Sequence, residues 1–306
     1  MEFGFGVVKT TGGTRINDNL IKNQNDIKKD HINVLEMSLD LQGTTLYLPS
    51  NTTLIGKGSQ GKIKNGEIII NNEHNIILRN LLFENVIFII KNQSHSIFVT
   101  HCEFRNKFHN NIIINDSSLI TISYSKLFSY KNIKIISDDI NSKITLNNNY
   151  FSGSNNIVTA NNVYTHLINN YFESKELCID TINSTVFSEF NVFFNCPQCF
   201  RRQGVNAFFS SKNEYFNYML DQDISESEED ETELTAKNIK TPNNYYHYVK
   251  NTSNSSSFKH FFDYCGVLAA DKSETISNFS DSSLELSDNV TTVIAKKSIN
   301  KCCIIS

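Results

Sequence analysis

Ile76-Ile77-Leu78-Arg79-Asn80-Leu81-Leu82-Phe83 ends a short alternating apolar run on a phenylalanine, and that ending returns down the chain. The series is Phe83, Phe104, Leu127, Phe151, Phe172, Phe194 and Phe216, with gaps of 21, 23, 24, 21, 22 and 22 residues, and in the sixth coil the adjacent Phe193 fits in place of Phe194. So regular a short period predicts stacked coils, because a unit of that size cannot bury its own apolar face. Seven and five residues before the Phe the chain is mostly aliphatic, as at Ile97 and Val99 or Ile120 and Ile122. The residues between are polar or variable. This period of two is a strand with one face inward.

Working outward, three residues before each member stand Asn80, His101, Tyr124, Asn148, Asn169, Asn191 and Asn213. Asn tolerates unusual backbone angles, and its amide can bond to the same amide one coil away, so this column predicts a turn with an Asn ladder. Earlier strands fit at residues 45–48, 52–55 and 67–70, with Gly56, Gly58, Gly61 and Gly66 marking turns. A helix within residues 17–31 is expected to cap the open strand edge of the first coil. The expected fold is all-β, a single-chain parallel β-helix. The expected organisation is a cap and first strand over 1–40, coils over 41–220, an acidic disordered insertion over 221–240, a segment packing on the solenoid over 241–268, and a disordered tail over 269–306.

Composition limits the function classes. The chain has 306 residues, 39% of them hydrophobic, with 3 Pro and no Trp. Its net charge is −4, yet residues 221–233 (DQDISESEEDETE) hold many of the acids, leaving the rest slightly basic. So slight a basic excess suits an acidic ligand but is more often only a solvated surface; no nucleic-acid partner and a monomer are expected. The 7 cysteines are irregularly spaced and do not read as a disulfide framework. Cys196-Pro197-Gln198-Cys199 is a lone CxxC without the second pair that zinc would need, so packed thiols or a single disulfide are expected. No apolar run approaches a membrane span.

Several segments, in order, resemble a known family. They are Gly4-Phe5-Gly6 with Thr10-Thr11-Gly12-Gly13, Ser50 through Gly58 (SNTTLIGKG), Val99-Thr100-His101-Cys102-Glu103-Phe104, Ile120-Thr121-Ile122-Ser123-Tyr124, His166 through Phe172 (HLINNYF), and Tyr245-Tyr246-His247-Tyr248 with Cys265-Gly266-Val267. On this period they resemble the pectate lyases, a family of polysaccharide lyases that includes pollen allergens. The resemblance implies a right-handed parallel β-helix of three strands per coil acting on polygalacturonate by β-elimination. It also implies calcium held by carboxylates and an Arg as base.

Set against that pattern, the site positions do not match. The first family Asp falls on Val86, the Asp of IDHC on Thr100, and the next acidic segment on residues 108–113, where Asn111 is the nearest polar residue. The family Lys falls on Asn132, between Lys131 and Lys134. The two arginines of the RxPxxR motif fall on Asn156 and Asn161, and its Pro on Val158. No Arg lies between Arg105 and Arg201. Asn carries no charge and cannot act as a base. Neither a catalytic residue nor a metal site is matched, no cofactor is expected, and ordinary lyase activity is not expected. Arg201, Arg202, Lys131, Lys134 and His166 are the ligand-binding candidates, with Arg201-Arg202 read as a loop after the sixth coil and His166 as a packed side chain.

The chain ends Cys303-Ile304-Ile305-Ser306, which fits a prenylation signal, with Cys302 and Lys296, Lys297 and Lys301 beside it. One prenyl chain anchors weakly, so the neighbouring Cys and Lys residues are the expected second signal. The family implies secretion. The absence of a signal sequence and this ending favour the cytoplasmic face of a membrane. Three readings stand open: a glycan-binding β-helix without normal lyase activity, an active lyase with a rearranged site, and a lipid-anchored interaction scaffold.

Overall fold

The computed structural model describes residues 2–139, 141–204, 207–216 and 240–247. Every strand pairing is parallel, and partners lie one coil apart in sequence. One ten-stranded sheet includes His74–Arg79, His95–Thr100, Ser118–Ser123, Lys143–Asn147, Tyr164–Ile168 and Thr185–Glu189 in that spatial order. A second sheet bends into two limbs. Lys62–Asn71, Leu82–Lys91, Glu103–Asn115 and Lys126–Ile136 run through the bend as long strands. Beyond them the limbs separate. Tyr150–Gly153, Tyr171–Ser174, Val192–Phe194 and Glu214–Phe216 continue the first limb, and Val158–Asn161, Leu177–Ile182 and Gln198–Gln203 the second. Each coil therefore shows three faces: the ten-stranded sheet, the first limb and the second limb. The result is an all-β parallel β-helix of about eight turns.

The spaced phenylalanines line its interior. Phe83, Phe104, Leu127, Phe151 and Phe172 are fully buried at equivalent points of the first limb. Ring centroids stand 4.6 Å apart for Phe83 and Phe104 and 4.9 Å for Phe151 and Phe172. Stacking of this kind adds about 0.5–1.5 kcal/mol per pair to the burial of the rings. In the sixth coil the alternative Phe193 takes the inward place, and in the seventh Tyr215 stands there instead of Phe216. Phe172 pairs with Phe193, and Phe193 with Tyr215, while Phe194 and Phe216 take the outward-facing positions. Alternation along a strand permits only one of two neighbouring aromatics to face inward.

That shift separates two columns which the sequence merged. Asn80, His101, Tyr124, Asn148, Asn169, Phe190 and Lys212 all have φ between 47° and 55° and form the left-handed turn column. The hydrogen-bonding ladder sits one residue later, at Asn149, Asn170, Asn191 and Asn213. The Oδ1 of Asn170 accepts from the backbone N of Asn149 at 3.0 Å and from its Nδ2 at 3.1 Å. The Nδ2 of Asn170 donates to the Leu146 carbonyl at 2.8 Å, and Asn191 repeats the pattern one coil on. A buried amide so fully partnered incurs little desolvation penalty and fixes the coil register.

No capping helix forms over residues 17–31. Arg15–Leu20 is a strand paired with His31–Leu35, followed by a single 3₁₀ turn at Gln24–Asp26. The segment has no helical apolar stripe to bury, whereas strand pairing covers the next strand directly. The N-terminal segment then crosses the ten-stranded sheet. Gly6 donates to Thr121 Oγ1 at 2.8 Å, and a Cβ there would lie 2.3 Å from the Ile97 carbonyl oxygen, so only glycine fits.

Cys102, Cys178, Cys196 and Cys199 are buried free thiols. Burial pushes the Cys102 thiol up to about 12 and also raises Cys178 and Cys199, which suits packing rather than reactivity. The acidic run, Tyr248, Cys265 to Val267, and the tail with Cys302 and Cys303 lie outside the described residues. Among the described residues no helix is long and apolar enough to cross a membrane.

Candidate ligand-binding face

Inward residues of the second limb are aliphatic or small: Ile112 and Ile114, Ile133 and Ile135, Val158 and Ala160, with Ile179 and Thr181. The residues between them point outward and form one continuous column. Register places Ile69, Ile89, Ile113, Lys134, Thr159, Asp180 and Arg201 side by side on successive coils, spaced about 4.8 Å apart. The column is aliphatic over the early coils and polar or charged over the later ones. Beside it runs Ile136, Asn161, Ile182 and Gln203.

Asp180 and Arg201 anchor the charged end. Asp180 is 3% exposed and accepts from Arg201 Nε at 3.0 Å and from its Nη2 at 2.5 Å. Gln203 Nε2 adds a third bond at 3.1 Å. The carboxylate beside it raises the Arg201 pKa further, so the guanidinium stays charged at any working pH. With Nε and Nη2 held by Asp180, the Arg201 side chain is still 45% exposed, which leaves guanidinium N–H donors able to meet a carboxylate.

The structure sorts the sequence candidates. Lys134 and Asn161 lie on this face, as does Arg201, which is part of a strand and not of a loop. Lys131 is half-buried at the bend, paired with Asn110. Arg202 lays its guanidinium over the Phe208 ring, 4.3 Å from the centroid. His166 belongs to the ten-stranded sheet and is fully buried, as its sequence context suggested. Its Nδ1 lies 2.6 Å from Tyr246 Oη, and its Nε2 lies 3.1 Å from Glu189 Oε2.

The family-aligned positions scatter. Val86 and Val158 point into the core. Thr100 is buried in the ten-stranded sheet against Ser123 and Glu2, so its identity has no bearing on this face. Asn111 and Asn132 are buried at the bend, bonded Nδ2 to Oδ1 at 2.7 Å as a second amide rung. Asn156 lies in the turn before Val158–Asn161, with φ 45°. Asp180, Thr159 and Gln203 were missed. The signal was present: Asp180 precedes Arg201 by one coil and alternates with Ile179 and Thr181.

Calcium does not fit the residues present. It takes six to eight oxygen ligands, whereas this column offers a single carboxylate whose two oxygens are already engaged by Arg201 and Gln203. Among the described residues no cluster of three His, Cys, Asp or Glu side chains is placed to hold a metal ion.

These features define a parallel β-solenoid whose second limb carries an outward column that is polar or charged over its later coils. No family model matches the chain. Pectate lyase E from Dickeya chrysanthemi is 34% identical over 97 residues, covering 24% of this chain and 25% of the relative. Pectate lyase D from the same organism is 54% identical over 39 residues, or 13% of this chain and 10% of the relative. The chain thus spans a quarter or less of the curated relatives it matches. The fold likeness is broader. The thermostable pectate lyase PL 47 superposes with a TM-score of 0.70 at 15% identity, covering 87% of this chain and 97% of that one. Pectate lyase Bsp165PelA from Bacillus sp. N165, in complex with trigalacturonate, gives 0.69 at 16% identity, covering 88% and 99%. The cedar pollen allergen jun a 1 gives 0.65 at 17% identity, covering 86% and 92%. The chain shares the parallel β-helix fold of the pectate lyases.

Proposed function

We propose that this protein binds an acidic polysaccharide of the polygalacturonate type on the outward face of the second limb, without ordinary lyase activity. The observation that carries the reading is the Lys134–Thr159–Asp180–Arg201 column, with Asn161 and Gln203 alongside. It offers cations and amides to a ligand carboxylate. Its one acid is internally neutralised. The trigalacturonate complex of a structural neighbour supports the ligand class.

The geometry suits binding. Asp180 holds the Arg201 fork in place, so little side-chain freedom is lost when a uronate carboxylate docks. Lys134 supplies a second positive charge three coils away, and the Asn161 amide, on a coil between the two cations, is placed to meet a hydroxyl. Elimination would need a base beside the proton next to the carboxylate and a cation for the developing charge. At the aligned base positions Asn156 and Asn161 can supply neither.

Affinity electrophoresis through gels containing polygalacturonate tests the reading. The protein should be retarded, retardation should fall with salt, and Lys134→Ala should weaken it by about five- to tenfold. Unretarded migration, or retardation unaffected by Lys134→Ala, would reject it.

A further inference from the structure

The outward face of the first limb carries a second groove, of about 770 Å³, lined by Glu84, Glu103, Arg105, Lys126, Phe128 and Tyr130 among others. That is the size range of small-ligand sites. None of the second-limb residues Lys134, Thr159, Asp180 and Arg201 lines it. Register places Glu84, Arg105 and Phe128 in one row across three coils, and Glu103 beside Lys126 in the next row. Tyr130 stands at the bend with 45% of its surface exposed.

The charge pattern selects the ligand. The two acids and two bases cancel, so the groove offers a polyanion no net attraction. The charges are also oriented by their own pairs. Arg105 meets Glu103 at 2.5 Å, and Glu84 meets Lys62 at 3.3 Å. Glu103 is 8% exposed, which makes it a fixed acceptor rather than a mobile surface acid. A purely apolar ligand would strip water from these charges without replacing it. A ring bearing hydroxyl groups has donors for Glu84 and Glu103, acceptors for Arg105 and Lys126, and a C–H face for Phe128 and Tyr130. The coil spacing of about 4.8 Å is close to the advance of one sugar ring along a chain.

We propose that this groove binds a neutral oligosaccharide, independently of the acidic-glycan face. The test is calorimetric titration of the full chain with cellohexaose, xylohexaose and mannohexaose, with and without saturating polygalacturonate. At least one neutral oligosaccharide should bind, with an affinity unchanged by salt and not displaced by polygalacturonate. Tyr130→Ala, at an exposed position, should lower that affinity about tenfold, and Phe128→Ala should do the same where its melting temperature shows an intact fold. Failure of all three oligosaccharides to bind, displacement by polygalacturonate, or binding indifferent to Tyr130→Ala would overturn the proposal.

Discussion

Asp180 and Arg201 sit on neighbouring coils and are joined by two hydrogen bonds, of 3.0 and 2.5 Å, with the carboxylate almost wholly out of water. The pair ties the last described second-limb strand to the rest of the sheet while leaving the Arg201 side chain 45% exposed. Arg201→Ala leaves a buried carboxylate with only Gln203, and is expected to destabilise the protein by about 1–3 kcal/mol. Arg201→Lys keeps the charge but loses the fork, so it should recover part of the stability and little of the polygalacturonate binding. Denaturant melts and gel retardation of the two variants check this. Equal binding by Arg201→Lys and wild type would show that the fork is not used.

Phe193 and Phe194 are adjacent, yet only Phe193 stacks in the interior, 5.1 Å from Phe172. Phe193→Ala is expected to cost about 3–5 kcal/mol. Phe194→Ala should cost much less, since Phe194 is half-buried on the outer face. Urea midpoints of the two variants decide the register, and the reverse order would restore Phe194 to the core.

Lys212 and Asn170 stand for the two turn columns. Lys212 has φ 52° and is exposed, so Lys212→Gly relieves left-handed strain and is expected to be neutral or stabilising by up to about 1 kcal/mol. Asn170→Ala strips partners from Asn149 and the Leu146 carbonyl, at a cost of about 1–3 kcal/mol for each buried group left unpaired. Thermal melts of the pair separate the roles, and similar losses in both variants would contradict the division.

His101 lies between Tyr124, whose ring centroid is 5.0 Å away, and the Thr100 hydroxyl. Burial, helped by the positive Arg79, pushes its pKa from 6.5 to about 3. Its contact with Glu2 at 3.9 Å is therefore not an ion pair near neutrality. Between those two pKa values the unfolded chain binds the proton and the folded chain does not, so stability falls as pH drops through that window. His101→Gln should flatten the unfolding midpoint against pH between about 6 and 4. An unchanged slope would place the acid sensitivity elsewhere.

Much of the fold was legible because the coil repeats its own chemistry. An inward Phe at one point of each turn needs no partner beyond the next Phe, so spacing alone reveals the stack. Where two aromatics are adjacent, as at Phe193 and Phe194, composition carries no parity and the sequence leaves the register open by one. The Asn columns merged for the same reason, since Asn148 and Asn149 or Asn169 and Asn170 look alike until backbone angle separates turn from ladder. The site was less legible. Lys134 and Arg201 stood out as cations, but Asp180 drew no notice because no family acid aligns there. Thr100, Asn111 and Asn132 aligned with functional positions only in sequence, and their burial takes them off the proposed ligand face.

The most direct measurement mixes the purified full chain with polygalacturonate, with and without calcium and across pH, and follows ultraviolet absorbance of unsaturated product alongside retention of the protein on the polymer. Retention with no absorbance above the polymer blank is the expected result. A steady rise in absorbance, proportional to protein concentration, would contradict the claim that the scaffold binds acidic glycan without cleaving it.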